Sequence, residues 1–376
     1  MLQENLNAID LFSGCGGVTS GLLKAGIKVR AAVEINDVAI KTYKENHKEI
    51  PVIHDDVCNV SGNRLKEVAQ ITDQDQLLLV ACPPCQGFSS IRKGGDEDER
   101  NKLVFQFTRL IEELKPEFIL MENVAGMSRG KGKKTFDKAL KELKKNYKCI
   151  YDILNAANYG VPQTRRRLVL HGIRKDIYNK WKKCGLKLEL PKQTHIAPSK
   201  RKKESDLLVW ENADVILGLP SLKAGEICNK KGIYNHVSNS MADINVRRIQ
   251  YIRKHGGTRT CLPEELALSC HKNKNGHTDV YGIMSMKKPA PTITGGCMHY
   301  SKGRFGHPID DRALSAREAA RLQSFDDDFI FIGSNSEMAL QIGNAVPVEL
   351  AKASGIYFYN LFQLIKAKSK DCNFLD

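Results

Sequence analysis

No stretch of the 376 residues stays apolar for the roughly 20 positions that a membrane span requires. The opening residues Met1-Leu2-Gln3-Glu4-Asn5-Leu6-Asn7 hold neither the basic start nor the apolar run of a secretory signal, so a cytoplasmic location is expected and no membrane partner. There is no internal repeat, and no collagen-like or disordered bias: the chain is 41% hydrophobic and 27% charged. The 11 cysteines are scattered and contain a single Cys-x-x-Cys pair, which argues against a disulfide framework. Acidic residues are in deficit. Against 58 Lys and Arg stand 43 Asp and Glu, a net charge of +15, and an excess of that size points towards a polyanionic partner such as nucleic acid.

What is present begins with alternation. Short apolar runs at Ala8–Phe12, Val29–Glu34, Val52–His54, Leu77–Cys82, Glu117–Glu122 and Cys149–Leu154 alternate with helical periodicity, for example across Lys102–Leu114 and Phe136–Leu143. This predicts an α/β fold: a mostly parallel, Rossmann-like sheet covered by helices, with Arg167–Gly172 as an antiparallel edge strand. From about Arg174 the alternation stops. The stretch to Pro308 is loop-rich, contains the basic cluster Lys200-Arg201-Lys202-Lys203, and reads as a smaller second lobe. Regular structure returns with helices at about Ala316–Gln323 and Val348–Ile365. Three parts are therefore expected: residues 1–173, a distinct lobe 174–308, and 309–376 returning to the first part, the last helix docking on it.

Four motifs carry chemistry. Asp10-Leu11-Phe12-Ser13-Gly14-Cys15-Gly16-Gly17 places glycines at a strand-to-helix turn, where backbone can approach a ligand. Glu34, 20 residues after Gly14, ends the next strand, where a carboxylate can grip ribose hydroxyls, and Asp56 follows the third strand. A nicotinamide dinucleotide and S-adenosylmethionine both suit the pattern, since both present an adenosine, but Thr19 stands where dinucleotide-binding turns have their third glycine. Cys82-Pro83-Pro84-Cys85-Gln86-Gly87-Phe88-Ser89 puts Cys85 on the loop at a strand's carboxyl end. It is either a nucleophile stiffened by two prolines or part of a redox or zinc pair. Cys261, Cys270, His271 and His277 supply no familiar second half of a zinc site, so no metal is expected. Glu122-Asn123-Val124 closes a strand on the same edge, and Gln163-Thr164-Arg165-Arg166-Arg167 leads into the next. If that last stretch is extended, Gln163, Arg165 and Arg167 share one face.

In this order, and with Arg317-Glu318-Ala319-Ala320-Arg321-Leu322-Gln323-Ser324-Phe325 and Gln341-Ile342-Gly343-Asn344-Ala345-Val346-Pro347 further on, the motifs resemble those of the DNA cytosine-5 methyltransferase family, of the prokaryotic restriction-modification type. The resemblance spans nearly the whole chain, and the variable stretch before Arg317 corresponds to the family's target recognition region. It implies S-adenosylmethionine as methyl donor, double-stranded DNA as partner and a monomer. Any cognate restriction endonuclease would act on the same site without being a stable subunit.

The resemblance also assigns roles. Carbon 5 of cytosine is a poor nucleophile, and a thiolate added at carbon 6 makes the ring enamine-like. Cys85 is the expected nucleophile, Glu122 holds ring nitrogen 3, and Arg165 donates to the ring carbonyl. Gln163 and Arg167 support that geometry. The base must leave the duplex to be reached. Gln86, Ser89 and Arg100 fall on a loop expected to close over the strand, and Thr292 near the flipped nucleotide. Expected cofactor contacts are Phe12, Gly14, Gly16, Glu34, Ile35, Asp56, Pro83 and Asn344. Ile35 departs from the family, where many members carry an aromatic residue against the adenine.

Overall fold

The computed structural model describes residues 5–84, 103–130, 132–202, 205–268 and 279–372. Contacts divide the chain into two compact units. The first comprises 1–155, 166–193 and 348–376; the second comprises 156–165 and 194–347. The division differs from the sequence expectation: 309–347 lies with the second unit, and so does the short piece 156–165.

The first unit is built on a seven-stranded sheet. Its parallel strands are β1 (Asn7–Leu11), β2 (Lys28–Glu34), β3 (Val52–His54), β4 (Leu77–Ala81) and β5 (Phe118–Val124). β6 (Tyr147–Asn155) and β7 (Arg166–Arg174) complete it in the order β3-β2-β1-β4-β5-β7-β6. The antiparallel strand is β7, as its sequence suggested, but it lies one place inside the edge, between β5 and β6. Strand β4 reads Leu-Leu-Leu-Val-Ala and is buried throughout, as a parallel strand covered on both faces must be.

Helices α1 (Gly17–Lys24), α2 (Asp37–Asn46), α3 (Gly62–Ala69), α4 (Leu103–Leu114), α5 (Gly126–Arg129) and α6 (Lys133–Asn146) lie between these strands, and α7 (Lys175–Trp181) follows β7. Phe107 and Leu110 of α4 and Phe136 of α6 enter the core with Leu79 and Ile119 of the sheet. Each such buried side chain is worth about 1.5–3 kcal/mol.

In the second unit, β8 (His195–Ile196) and β9 (Leu208–Val209) form a two-residue parallel pair, and α8 (Asp243–His255) is its longest described helix. The rest is mostly 3-10 turns and loops. α9 (Ala316–Leu322) and α10 (Asn335–Asn344) each start with a capping box, Ser315 with Glu318 and Ser334 with Glu337. Arg317 of α9 is fully buried and donates to the carbonyls of Tyr234, Asp326 and Phe329. Burial lowers its pKa to about 10. Arg312 is likewise buried, paired with Glu318 at 2.7 Å and Asp310 at 2.8 Å.

The chain then returns to the first unit as α11 (Val348–Cys372). It packs against α1 so closely that a Cβ on Gly21 would come within 2.6 Å of both Ala351 Cβ and the Val348 carbonyl oxygen. Only glycine permits this approach. No helix among the described residues is long and apolar enough to cross a membrane.

Candidate active site

The strand order of the first unit reverses between β1 and β4, and open α/β sheets bind ligands at the carboxyl ends beside such a reversal. Phe12, Gly14 and Gly16 leave β1 there, all with positive φ (58°, 55° and 97°). For Phe12 that backbone is strained, typically by about 1–3 kcal/mol, and such strain concentrates at ligand sites.

Two supports hold this turn. Ser13 N–H donates to the Val33 carbonyl at 3.1 Å, and Gly14 N–H donates to Glu34 Oε2 at 2.8 Å. Glu34 Oε1 accepts from the N–H groups of Ile35 and Asn36 at 3.0 and 2.9 Å. Three backbone donors therefore fix the carboxylate while its remaining lone pairs stay available to a hydroxylic ligand. Ile35 is 60% exposed beside it, an apolar surface at the mouth of the cradle. Asp56, after β3, caps a short turn by accepting from Cys58 N–H at 2.8 Å.

Behind the turn lies a layer that sequence reasoning missed. A Cβ on Gly16 would meet the His47 ring at 2.8 Å, and that ring packs edge-on against Tyr43 with centroids 4.9 Å apart. His47 Nε2 lies 3.2 Å from Ser20 Oγ, and Ser20 Oγ donates to the Gly16 carbonyl at 3.0 Å. Burial lowers the His47 pKa to about 4, so the ring is neutral near pH 7. Asp10, Thr19 and Tyr43 form a buried chain: Thr19 Oγ1 lies 2.8 Å from Asp10 Oδ2 and 2.9 Å from Tyr43 Oη. Burial and the nearby Glu34 charge, against the Thr19 hydrogen bond, raise the Asp10 pKa to about 7. No sequence signal marked His47; it follows α2 with no motif around it.

β4 delivers the proline loop. Cys82 N–H donates to the Leu11 carbonyl at 3.3 Å, and the buried Asn123 donates from Nδ2 to the Pro83 carbonyl at 3.0 Å. Asn123, on β5, thereby ties down the backbone two residues before Cys85. Cys85, Gln86, Ser89 and Arg100 themselves lie outside the described residues.

Glu122 sits within β5 rather than at its end. Val124 pairs with Arg167 across the antiparallel β5–β7 ladder, which makes Glu122 and Arg167 diagonal neighbours on one face. Arg167 Nε lies 3.0 Å from Glu122 Oε1, and the two side chains are 14% and 12% exposed.

Arg165 is placed otherwise. It belongs to the second unit, is 1% exposed, and donates to the carbonyls of Ile293 at 2.6 Å, Gly343 at 2.8 Å and Ala345 at 3.0 Å. Gln163 is also fully buried there, donating to the Leu322 carbonyl and Gln323 Oε1 and accepting from Ile293 N–H. Thr292 Oγ1 donates to the Thr164 carbonyl at 2.9 Å. Asn344, exposed, ends α10 in the same unit. The ion-pair partner of Glu122 is therefore Arg167, whereas the bonds of Arg165 are made within the second unit. The alternation argument fails because β7 starts only at Arg166, so Gln163 and Arg165 are not strand residues in register with Arg167.

Among the described residues no group of three or more His, Cys, Asp or Glu side chains could hold a metal ion. The glycine turn and the fixed Glu34 carboxylate fit an adenosine-bearing cofactor.

The profile of the C-5 cytosine-specific DNA methylases matches residues 6–356. The chain is 35% identical over 353 residues to the Type II methylase M.HgiDII of Herpetosiphon aurantiacus, covering 92% of each chain. It is 33% identical to the Type II methyltransferase M1.HphI of Haemophilus parahaemolyticus, over 93% of this chain and 85% of that one. In fold it is similar to an E. coli prophage-encoded protein described as a DNA modification methyltransferase (TM-score 0.70, 24% identity, 96% and 100% covered). It is also similar to Spodoptera frugiperda DNMT2 (TM-score 0.60, 19% identity, 95% and 100% covered). On these matches and the motifs that carry them, the chain belongs to the C-5 cytosine-specific DNA methylase family, whose members are DNA cytosine-5 methyltransferases.

Proposed function

We propose that the chain takes a cytosine out of duplex DNA, adds Cys85 to carbon 6 of the ring and methylates carbon 5 within a specific short sequence. The observation that carries this reading is the Glu122–Arg167 pair. It stands on β5 beside the Asn123–Pro83 hydrogen bond that anchors the Cys85 loop.

In this mechanism the Cys85 thiolate attacks carbon 6, and electron density moves towards ring nitrogen 3. Glu122 holds a proton at nitrogen 3, neutralising that charge. Arg167 orients the Glu122 carboxyl and presents its own donors to the ring carbonyl at position 2, the part that the sequence assigned to Arg165. Glu34, Asp56, Phe12 and Pro83 at the glycine turn would hold S-adenosylmethionine, whose sulfonium would supply the methyl group and leave as the neutral thioether S-adenosylhomocysteine. Loss of the carbon 5 proton then expels the thiolate and frees Cys85. Arg165 and Gln163 shape the second unit, and base edges are read by its loop-rich part. A single chain suffices for these steps, acting in the cytoplasm without a metal and without a nuclease as a stable subunit.

Bisulfite sequencing of DNA from cells expressing the chain tests this reading. Protected cytosines confined to one short sequence are expected. Their absence, or methylation confined to RNA, would refute it.

A further inference from the structure

The amino ends of the strands, opposite the cofactor edge, carry a second charged surface. β6 begins there at Tyr147, paired with Arg174 at the end of β7. α6 finishes one residue earlier, at Asn146, and α7 starts one residue later, at Lys175. The topology therefore gathers Lys144, Lys145, Lys148 and Lys175 at one corner of the first unit, all exposed. Lys175 Nζ donates to the Lys145 carbonyl at 2.9 Å. The charges of Lys144, Lys175 and Lys148 all act on the Cys149 thiol, opposing the burial that pushes it up to about 12. Lys148 lies 6.0 Å from the Tyr178 ring centroid and Lys180 lies 5.0 Å from that of Trp181, extending the surface along α7. Lys141, Lys144 and Lys145 also line a shallow depression of about 310 Å³ on α6.

Several acids of this corner are engaged, although the exposed Glu112 also acts on Lys145. Glu142 pairs with Lys145, while Glu117 and Asp176 both pair with Arg174, at 3.0 and 2.9 Å. Among the described residues, no carboxylate pairs with Lys144, Lys148 or Lys175. Like charges crowded in this way repel one another, and a polyanion relieves that repulsion while releasing its own counterions. The surface is open, with its ammonium groups spread over a helix end and a strand edge. A small anion would need converging donors. A duplex, with one phosphate charge per about 1.7 Å of axis, matches a spread of point charges.

We propose that this corner is a second, sequence-independent DNA site, which grips the phosphates of a duplex segment other than the one being methylated. The proposal rests on the reading of duplex DNA as substrate. The nine residues of β6 put the corner about 30 Å from the carboxyl edge of the sheet, at roughly 3.3 Å per residue. A straight duplex laid along that edge does not reach it. Once the enzyme sits on one segment, neighbouring segments of the same molecule are present at high effective concentration. Holding one of them would let the enzyme pass between sites without release.

The test compares the full wild-type chain with K144E/K148E/K175E, using excess short duplex at low salt and counting bound duplexes by sedimentation. Wild type is expected to bind two per chain and the variant one. On a long fragment the variant's salt dependence should be shallower by about 3 in log–log slope. Its methylation rate on the short duplex should stay within about twofold, since no altered lysine touches the catalytic edge. Circular dichroism checks folding, and the Lys→Gln triple variant replaces the Glu version if that fails to fold. A wild type that binds one duplex and a variant that also binds one would overturn the proposal, as would a variant that still binds two. Binding of polyglutamate but not of a second duplex would overturn it in favour of an acidic protein. One duplex on wild type and none on the variant would uphold this site and sink the catalytic reading instead.

Discussion

Arg167 and Glu122 form an ion pair across two antiparallel strands, while Arg165, two residues earlier, is bound to three carbonyls in the other unit. The two arginines should therefore fail differently. Arg167→Ala should lower kcat by about 10²–10³-fold, as loss of one transition-state donor does, with little change in melting temperature. Arg165→Ala leaves three buried carbonyls without their donor and should cost on the order of 3 kcal/mol of stability. Single-turnover kinetics and calorimetry on both variants decide the matter; a stable but inactive Arg165→Ala would restore the original assignment.

Cys85→Ala should abolish methylation yet still bind the target duplex, whereas Cys82→Ala should keep substantial activity. A 5-fluorocytosine at the target should trap a covalent complex with wild type, because fluorine cannot leave as a proton does. Denaturing electrophoresis reads the adduct. Trapping by Cys85→Ala would disprove the nucleophile.

Glu34→Ala and Asp56→Ala should weaken S-adenosylmethionine binding by roughly tenfold to a hundredfold, the worth of a hydrogen bond involving a charged group. Isothermal calorimetry measures it. His47→Ala should move cofactor affinity in the same direction without touching kcat, because the ring braces Gly16 from behind. Equal losses in kcat and affinity would assign His47 a wider role.

Stability should respond to pH through opposed groups. Asp10 has a raised pKa in the folded state, so its contribution is present at low pH and is lost as pH rises through about 7. His47 and His171 are lowered by burial, to about 4 and about 3, so theirs is present above the ordinary histidine range and is lost on acidification. Between about pH 7 and pH 5 these trends partly cancel. Asp10→Asn removes one side, and its melting temperature should fall more steeply than that of wild type on acidification. Parallel curves would refute the balance.

Specificity should travel with the second unit. The graft should run from Thr194 to Pro289, because Ala290, Thr292 and Ile293 bond to Thr164 and Arg165 and belong to the scaffold. A folded chimaera carrying a relative's segment should methylate the relative's site, with base contacts each discriminating by about 1–3 kcal/mol. Retention of the original site, read by bisulfite sequencing, would move recognition elsewhere.

Much of the first unit was legible because parallel strands β1, β2 and β4 are apolar runs that lead directly into the residues of the ligand edge: Leu11 then Phe12, Val33 then Glu34, Ala81 then Cys82 and the prolines. What escaped was set by packing between distant segments. Nothing local in Gln163–Arg167 reveals that the chain crosses from one unit to the other between Arg165 and Arg166. Nor does anything near His47 reveal that its ring fills the space left by the missing side chain of Gly16. The grouping of 309–347 by contacts is not legible locally, because its helices look like those of the first unit while their partners, such as Tyr234 for Arg317, lie in the loop-rich region.

The contact of Gly21 with Ala351 joins nearly the two extremes of the chain. A ribosome working at roughly 5–20 residues per second makes α11 some tens of seconds after α1 has emerged. Through that interval the face of α1 that α11 will cover has no partner, and the helix that anchors the end of the glycine turn is packed only against its own sheet. Cofactor binding should thus be among the last properties the nascent chain acquires. Stalling synthesis before Val348 should leave a protein whose sheet core is already made but which neither retains S-adenosylmethionine nor escapes chaperones that recognise exposed apolar helices.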